Sequence, residues 1–285
     1  LKELADNFTM NEAYLRQFYL PMYQQMGLLS VEGKLITEIN ANFHRYYLDG
    51  LAPYRSNNRM LDIGCAIGLF LAAAKVNGWD VYGLDPSAPL SAYGRETIGV
   101  NVLHAELQEL EFPNDYFDVV TLWNVVEHLL DPTAVLSEVH RVLRPGGRLI
   151  IQVPNWSDIA RDILGPTWDM FVTDHFYYFT PTTLSKLVVK NGFTVEKFDA
   201  AELVASEIEE ITSKVSAQAA ADALRTLKRL GANDRGSTIT LYANKLTTTN
   251  DRLGKAWQLI HTGNLQQLTK EVRDYIKWKL STTRF

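Results

Sequence analysis

Continuous apolar runs alternate with amphipathic stretches through the middle of this chain. Residues 59–85 read RMLDIGCAIGLFLAAAKVNGWDVYGLD: an apolar run ends in Asp62-Ile63-Gly64, a helical pattern follows from Leu69 to Asn77, and a second apolar run closes on Asp85. That order predicts strand, glycine turn, helix, strand. The alternation continues with a helix over Ala88 to Ile98, a short strand over Val100 to His104, and an apolar strand from Phe117 to Trp123 after the Pro113-Asn114-Asp115 turn. Pro132 opens a helix running to Leu143, with Val135, Leu136, Val139 and Val142 on one face, and Pro145-Gly146-Gly147 stops it. A fifth strand is expected over Arg148 to Val153, and Thr180-Pro181 caps a helix through Lys190. Strands over Phe193 to Phe198 and Ser237 to Asn244 follow, separated by a helical insertion over about 202–230. Together these elements predict a doubly wound α/β fold, its last two strands forming a hairpin-like edge.

The flanks differ from this core. Residues 1–50 carry helical patterns rich in aromatics, among them Phe8, Tyr14, Phe18, Tyr19, Tyr23, Phe43, Tyr46 and Tyr47, and are expected to form a helical cap that packs on the body or closes over a ligand. Residues 51–246 form the α/β domain, and 247–285 a helical extension. That tail sets Arg252, Lys255, Lys270, Arg273, Lys277, Lys279 and Arg284 against Asp251, Glu271 and Asp274, with an apolar face of Leu268, Val272 and Ile276. Such a face docks onto the body, a second subunit or a membrane surface.

Composition narrows the function. The 285 residues are 46% hydrophobic, enough for one elaborated α/β domain with extensions, and the net charge of -5 argues against a nucleic-acid grip. No apolar run approaches a membrane span and no signal peptide opens the chain, so a cytoplasmic location is expected. The chain begins at Leu1 rather than methionine, which suits a processed or trimmed protein. Cys65 is the only cysteine, which excludes an intrachain disulfide and any cysteine-cluster metal site.

The glycine turn carries the chemistry. In a parallel α/β unit, glycines let the backbone approach a ligand, and an acid closing the next strand can grip ribose hydroxyls. A nucleoside-containing cofactor is therefore expected. The loop lacks the three glycines of a dinucleotide site, since Cys65, Ala66 and Ile67 separate Gly64 from Gly68. It also lacks a phosphate-binding lysine, because Leu69 and Phe70 follow Gly68. A cofactor without phosphates fits best; a nicotinamide-dependent oxidoreductase is the alternative by fold.

The segments LDIGCAIGLFL, WDVYGLDPS, FDVVTLWNVVEHLLDP, EVHRVLRPGGRLIIQVPN and DHFYYFTPTTLSKLVVKNGF occur in one order. Over residues 40–245 the chain resembles class I S-adenosylmethionine-dependent methyltransferases. Within them it is similar to the ubiquinone-biosynthesis-type O-methyltransferases and to bacterial enzymes that methylate sugars, glycans or small hydroxylated metabolites. The resemblance implies a Rossmann-like seven-stranded sheet with helices on both faces and S-adenosylmethionine as cofactor. Asp62, Gly64, Cys65 and Gly68 would form the loop under its methionine moiety, with Cys65 as a small filler of that loop. Asp85 would accept bonds from the ribose diol. Glu106 and Leu107 would meet the adenine, with Glu109 and Glu111 near enough to compete with Glu106. Trp123 and Asn124 would bring backbone groups to the methionine ends, core packing being the other role for Trp123.

Methyl transfer from a sulfonium is an in-line displacement that gains from positioning and from a base for the acceptor's proton. His175, in a segment Trp168 to Phe179 expected to wall the substrate, is the candidate base, with a hydrogen-bonded loop histidine as its alternative role. His128, Asn155, Trp156, Trp168 and Phe176 are candidate substrate contacts, and His128 could instead hold a helix start. The acidic and amide ligands of a metal-assisted transfer are not evident after the fourth and fifth strands, so no catalytic metal is expected. The expected partner is a small-molecule or glycan substrate. A noncatalytic relative that binds cofactor or a partner remains a third reading.

Overall fold

The computed structural model describes residues 11–200 and 236–246, together with Gln218. Phe8, the insertion over 202–230 and the basic tail from 247 lie outside the described residues. A helical run over 12–25 (α1) starts at Asn11, whose side chain accepts the Tyr14 N–H at 3.0 Å, and its turn Leu15–Tyr19 is π-helical. Thr37–Asp49 (α2) leads to the sheet.

Seven strands build that sheet: β1 (Arg59–Ile63), β2 (Asp80–Asp85), β3 (Val102–His104), β4 (Phe117–Trp123), β5 (Leu143–Pro154), β6 (Phe193–Ala200) and β7 (Thr238–Lys245). Their order is β3-β2-β1-β4-β5-β7-β6, with β1 to β5 parallel and β7 antiparallel to both neighbours. The chain leaves β1 for β2 on one side and returns to β4 on the other, so a crevice opens at the carboxyl ends of β1 and β4, where such sheets bind ligands. The helices are α3 (Leu69–Val76), α4 (Ala88–Tyr93), α5 (Pro132–Val142), α6 (Ile159–Leu164) and α7 (Pro181–Lys190).

The strand period of two sorts the core into two layers. Leu61, Val120, Leu149 and Ile151 face α5 and α7, where Leu136, Val139, Leu184 and Val188 are buried. Met60, Val119 and Ile150 face the other way and pack with Phe70, Leu71 and Ala74 of α3 and Leu48 of α2. Local chemistry fixes the helix starts: Asp131 accepts the Ala134 N–H ahead of Pro132, and Thr180 and Thr183 form a reciprocal capping box ahead of Pro181.

Three boundaries differ from the sequence pattern. The helix over Ala88 to Ile98 is α-helical only to Tyr93, and Gly94–Ile98 is a π turn. Strand β3 begins at Val102, two residues late. Helix α5 ends at Val142, and Leu143 already belongs to β5, buried opposite Phe117; Pro145-Gly146-Gly147 thus makes a bulge inside the strand rather than a loop after the helix. Among the described residues, no helix is long and apolar enough to cross a membrane.

Candidate functional site

A single cavity of about 2350 Å³ lies over the carboxyl ends of the parallel strands, roofed by α1 and α2. Pockets for single small ligands run about 300–1,000 Å³, so this one has room for two molecules side by side. Its floor at the β1 end is the glycine turn. Gly64 has φ +68°, a left-handed conformation, and a Cβ there would overlap the Val125 side chain. The Gly64 and Cys65 N–H groups donate to Leu84 O at 2.7 and 3.0 Å, which ties the turn to the end of β2.

Asp85 completes the turn from the other strand. Its Oδ2 accepts the Ala66 N–H at 2.8 Å and its Oδ1 the Ser87 N–H at 2.9 Å. Burial raises its carboxyl to about 6, against the lowering by those two backbone donors. Asp62 is more deeply placed. Burial pushes it up to about 8, Thr121 Oγ1 donates to it at 2.7 Å in opposition, and the charge of Asp85 adds to the rise. Burial also raises the Cys65 thiol well above its ordinary value.

Beside β3, Leu107 is buried against the cavity, whereas exposed Glu106 caps a short turn by accepting the Glu109 N–H, and Glu109 reciprocates to the Glu106 N–H at 2.8 Å. Glu109 is therefore spent on the cap, and Glu106 lines the cavity. At the end of β4, Trp123 packs between Tyr47 and Phe70, with ring centroids 4.6 and 5.0 Å away, and its buried Nε1 has no partner among the described residues. Asn124 follows at φ +52°, its N–H held by Gln152 O at 2.9 Å. A left-handed non-glycine residue at a ligand crevice is a known seat of functional strain.

The other end of the cavity joins two loops. The Phe176 and Tyr177 N–H groups donate to Glu127 O at 2.9 and 3.2 Å, which clamps the loop after β5 onto the loop after β4. The rings of His128 and His175 then meet edge to face, centroids 4.7 Å apart. His128 Nδ1 lies 3.0 Å from Asp174 O and 3.3 Å from its carboxylate, and His175 Nδ1 lies 3.0 Å from Met170 O. A carbonyl accepts only from a protonated nitrogen, so each Nδ1 carries hydrogen and each neutral ring presents Nε2 as its acceptor. Burial, then the charge of His128, hold His175 below the ordinary histidine value.

Glu127 sits beside them, 1% exposed, with neither carboxylate oxygen bonded to another described residue. Burial raises it to about 8, against a lowering by its own backbone N–H, and nearby Asp174 adds to the rise. One oxygen of Glu127 and one nitrogen from each histidine lie within 4.8 Å of one another. Such a set could hold a divalent ion, and spacing along the chain does not reveal it because His175 comes from a different loop.

Asp62, Gly64, Cys65, Asp85, Glu106, Leu107, Trp123, Asn124, His128 and His175 all line the cavity. Gly68, at φ +79°, serves instead as the residue ahead of α3. Four expected substrate contacts do not line it. Asn155 is fully buried, its amide donating to Gly236 O at 2.7 Å and its oxygen accepting the Ser157 N–H. Trp168 donates to Asp158 at 3.0 Å within a small core with Ala160 and Leu164, against which Trp156 packs, and Phe176 contributes the backbone clamp. Their neighbours Asp169, Met170, Phe171 and Thr173 form the wall. Glu127 and Asp174 were missed; the one signal for Glu127 was a charge inside the apolar stretch VVEHLL.

Residues 34–197 match a family described as a methyltransferase domain, which covers more than half of the chain. The chain is 31% identical over 166 residues to the ubiquinone biosynthesis O-methyltransferase of Bradyrhizobium sp. (strain ORS 278), covering 49% of this chain and 60% of that protein. It is 32% identical over 157 residues to the protein of the same name from Aeromonas salmonicida, covering 48% and 63%. The chain thus spans about three fifths of the length of these relatives. Among solved structures, an S-adenosylmethionine-dependent methyltransferase from Archaeoglobus fulgidus superposes with a TM-score of 0.54 at 21% identity, over 80% of this chain and 100% of that one. Phosphoethanolamine N-methyltransferase 2 of Haemonchus contortus, in complex with S-adenosylmethionine, gives 0.53 at 22% identity, over 72% and 53%. By sequence and by fold, the chain belongs to the class I S-adenosylmethionine-dependent methyltransferases.

Proposed function

We propose that this chain methylates a hydroxyl oxygen of a small molecule, sugar or glycan, with His175 as the base. The observation that carries this reading is the His175 ring, whose Nδ1 is fixed on Met170 O and whose remaining nitrogen is left to accept a proton in the cavity. The cofactor end suits S-adenosylmethionine. Each oxygen of Asp85 accepts one backbone N–H and keeps further lone-pair capacity for a ribose hydroxyl. Among the described residues lining the cavity there is no lysine or arginine to meet a pyrophosphate, which favours this cofactor over a dinucleotide. Asp62, Gly64 and Cys65 would lie under the methionine end, Glu106 and Leu107 beside the adenine, and Trp123 and Asn124 at the amino-acid end.

When bound, the cofactor supplies an electrophilic methyl on a sulfonium whose leaving group is a neutral thioether. This chain's part is to hold the acceptor oxygen in line and to take its proton on His175 as the new oxygen–carbon bond forms. His128, turned by Asp174, steadies the base from the side. Residues 1–50 act as the roof, 51–246 as the catalytic domain and 247–285 as an appendage for docking. The relatives named for ubiquinone biosynthesis support oxygen as the methylated atom. Calorimetry tests the reading: S-adenosylhomocysteine should bind and NADH should not, and the reverse result sinks it.

A further inference from the structure

The acidic and strongly basic side chains around this cavity are one-sided. Seven acidic residues line it, Asp62, Asp85, Glu106, Glu127, Asp131, Asp169 and Asp174, and no lysine or arginine does among the described residues. The first three stand at the cofactor end. The other four surround the acceptor end, where Asp131 is occupied in capping α5 and Asp174 is turned to His128. Glu127 is different: it is buried, its carboxylate is aimed at the histidine pair, and neither oxygen bonds to another described residue. A buried carboxyl without a partner is costly unless a ligand completes it. Across the cavity the roof offers aromatic faces, Tyr14, Phe18, Phe43 and Tyr46, which attract cations and leave anions unaided.

An acceptor bearing phosphate or carboxylate would find no lysine or arginine here, whereas a cation finds acidic side chains, a hydrogen-bond acceptor open to it and aromatic rings. We infer that the acceptor carries a protonated amine next to the hydroxyl that is methylated, the ammonium received by Glu127 and the hydroxyl by His175. This rests on the oxygen-methylation reading above. The Glu127 oxygen and a His175 nitrogen lie within 4.8 Å of each other, close enough for groups on neighbouring carbons to reach both residues, so the motif that suits them is a 1,2-amino alcohol, as in an amino sugar.

The test uses the full chain saturated with S-adenosylhomocysteine, in EDTA so that no metal occupies the Glu127 and histidine groups. Three probes of one size are titrated by calorimetry: trans-2-aminocyclohexanol, cyclohexanol and 2-hydroxycyclohexanecarboxylate. The amine should bind about tenfold or more tightly than the neutral alcohol, the scale of one charge-assisted bond, and the carboxylate should bind weakest. Glu127→Gln should remove the preference for the amine while leaving S-adenosylhomocysteine affinity in place. Equal or tighter binding of the alcohol or the carboxylate, or no binding of the amine at all, overturns the inference. Loss of S-adenosylhomocysteine binding in the unaltered chain would instead overturn the methyltransferase reading, so the two failures are told apart.

Discussion

Asp85 and Ala66 are joined across the glycine turn: Asp85 Oδ2 accepts the Ala66 N–H at 2.8 Å, while Ala66 itself sits at φ +49°. The acid that closes β2 therefore shapes the loop after β1 as well as facing the cavity. Asp85→Asn offers a single acceptor oxygen, so it must give up either Ala66 or Ser87 together with part of its capacity for a diol. S-adenosylhomocysteine affinity measured by calorimetry should fall roughly 10- to 100-fold, as loss of a charge-assisted bond implies. With the carboxyl raised to about 6, affinity in the unaltered chain should also decline as pH drops below that value, and this decline should be absent in Asp85→Asn.

Gly64 makes a second, purely steric prediction. Its left-handed backbone and the Val125 side chain leave no place for a Cβ. Gly64→Ala should lower both the melting temperature and cofactor affinity, the strain from φ alone costing about 1–2 kcal/mol. Adding Val125→Ala removes the overlap and leaves the backbone cost. The double variant should thus be less impaired in cofactor binding than the single one; equal impairment would show that Val125 is not the obstacle.

These two positions were legible in the sequence because strand, turn and carboxylate follow one another within residues 59–85, and local spacing sets their geometry. The capped starts of α5 and α7 were legible for the same reason. The acceptor wall was not. Asn155, Trp156 and Trp168 have the chemistry of ligand contacts, yet tertiary packing gave their polar atoms to Gly236, Ser157 and Asp158 or placed them in a small core. Glu127 and His175 are 48 residues apart, and it takes tertiary contacts, the backbone clamp from Phe176 and Tyr177 to Glu127 O and the His128–Asp174 contact, to bring their loops together. The Pro145-Gly146-Gly147 stretch misled because a helix stop and a strand bulge use the same residues, and burial of Leu143 decided between them.

His175 as base has a kinetic signature. Removing a positioned general base costs about 10²- to 10⁴-fold, so His175→Ala should lose turnover on that scale while binding S-adenosylhomocysteine normally. Because burial and His128 hold His175 below the ordinary histidine value of 6.5, the unaltered enzyme's rate should rise with pH along a limb below that value and stay level above it. Asp174→Asn, which weakens the partner of His128 without touching Met170, should alter that limb but retain most of the rate. Full activity in His175→Ala would remove the assignment.

Glu127 links the site to stability. Its folded pKa, about 8, exceeds its ordinary 4.5, so the folded state holds this proton more tightly than the unfolded chain does. Stability from that proton is complete below about 4.5 and is lost as pH rises through about 8. Asp62, raised from 3.8 to about 8, behaves alike. Glu127→Gln keeps the shape and cannot ionise. Against the unaltered chain it should melt at nearly the same temperature at pH 5. At pH 9 it should melt several degrees higher, corresponding to a gain on the order of a few kcal/mol. The difference between the two melting curves, followed by circular dichroism from pH 5 to 9, isolates Glu127, because Asp62 contributes equally to both. A constant difference across that range would mean that Glu127 is charged or partnered throughout. The same titration with trans-2-aminocyclohexanol present should shrink the gap at pH 9, since an ammonium beside the carboxylate removes the cost of ionising it.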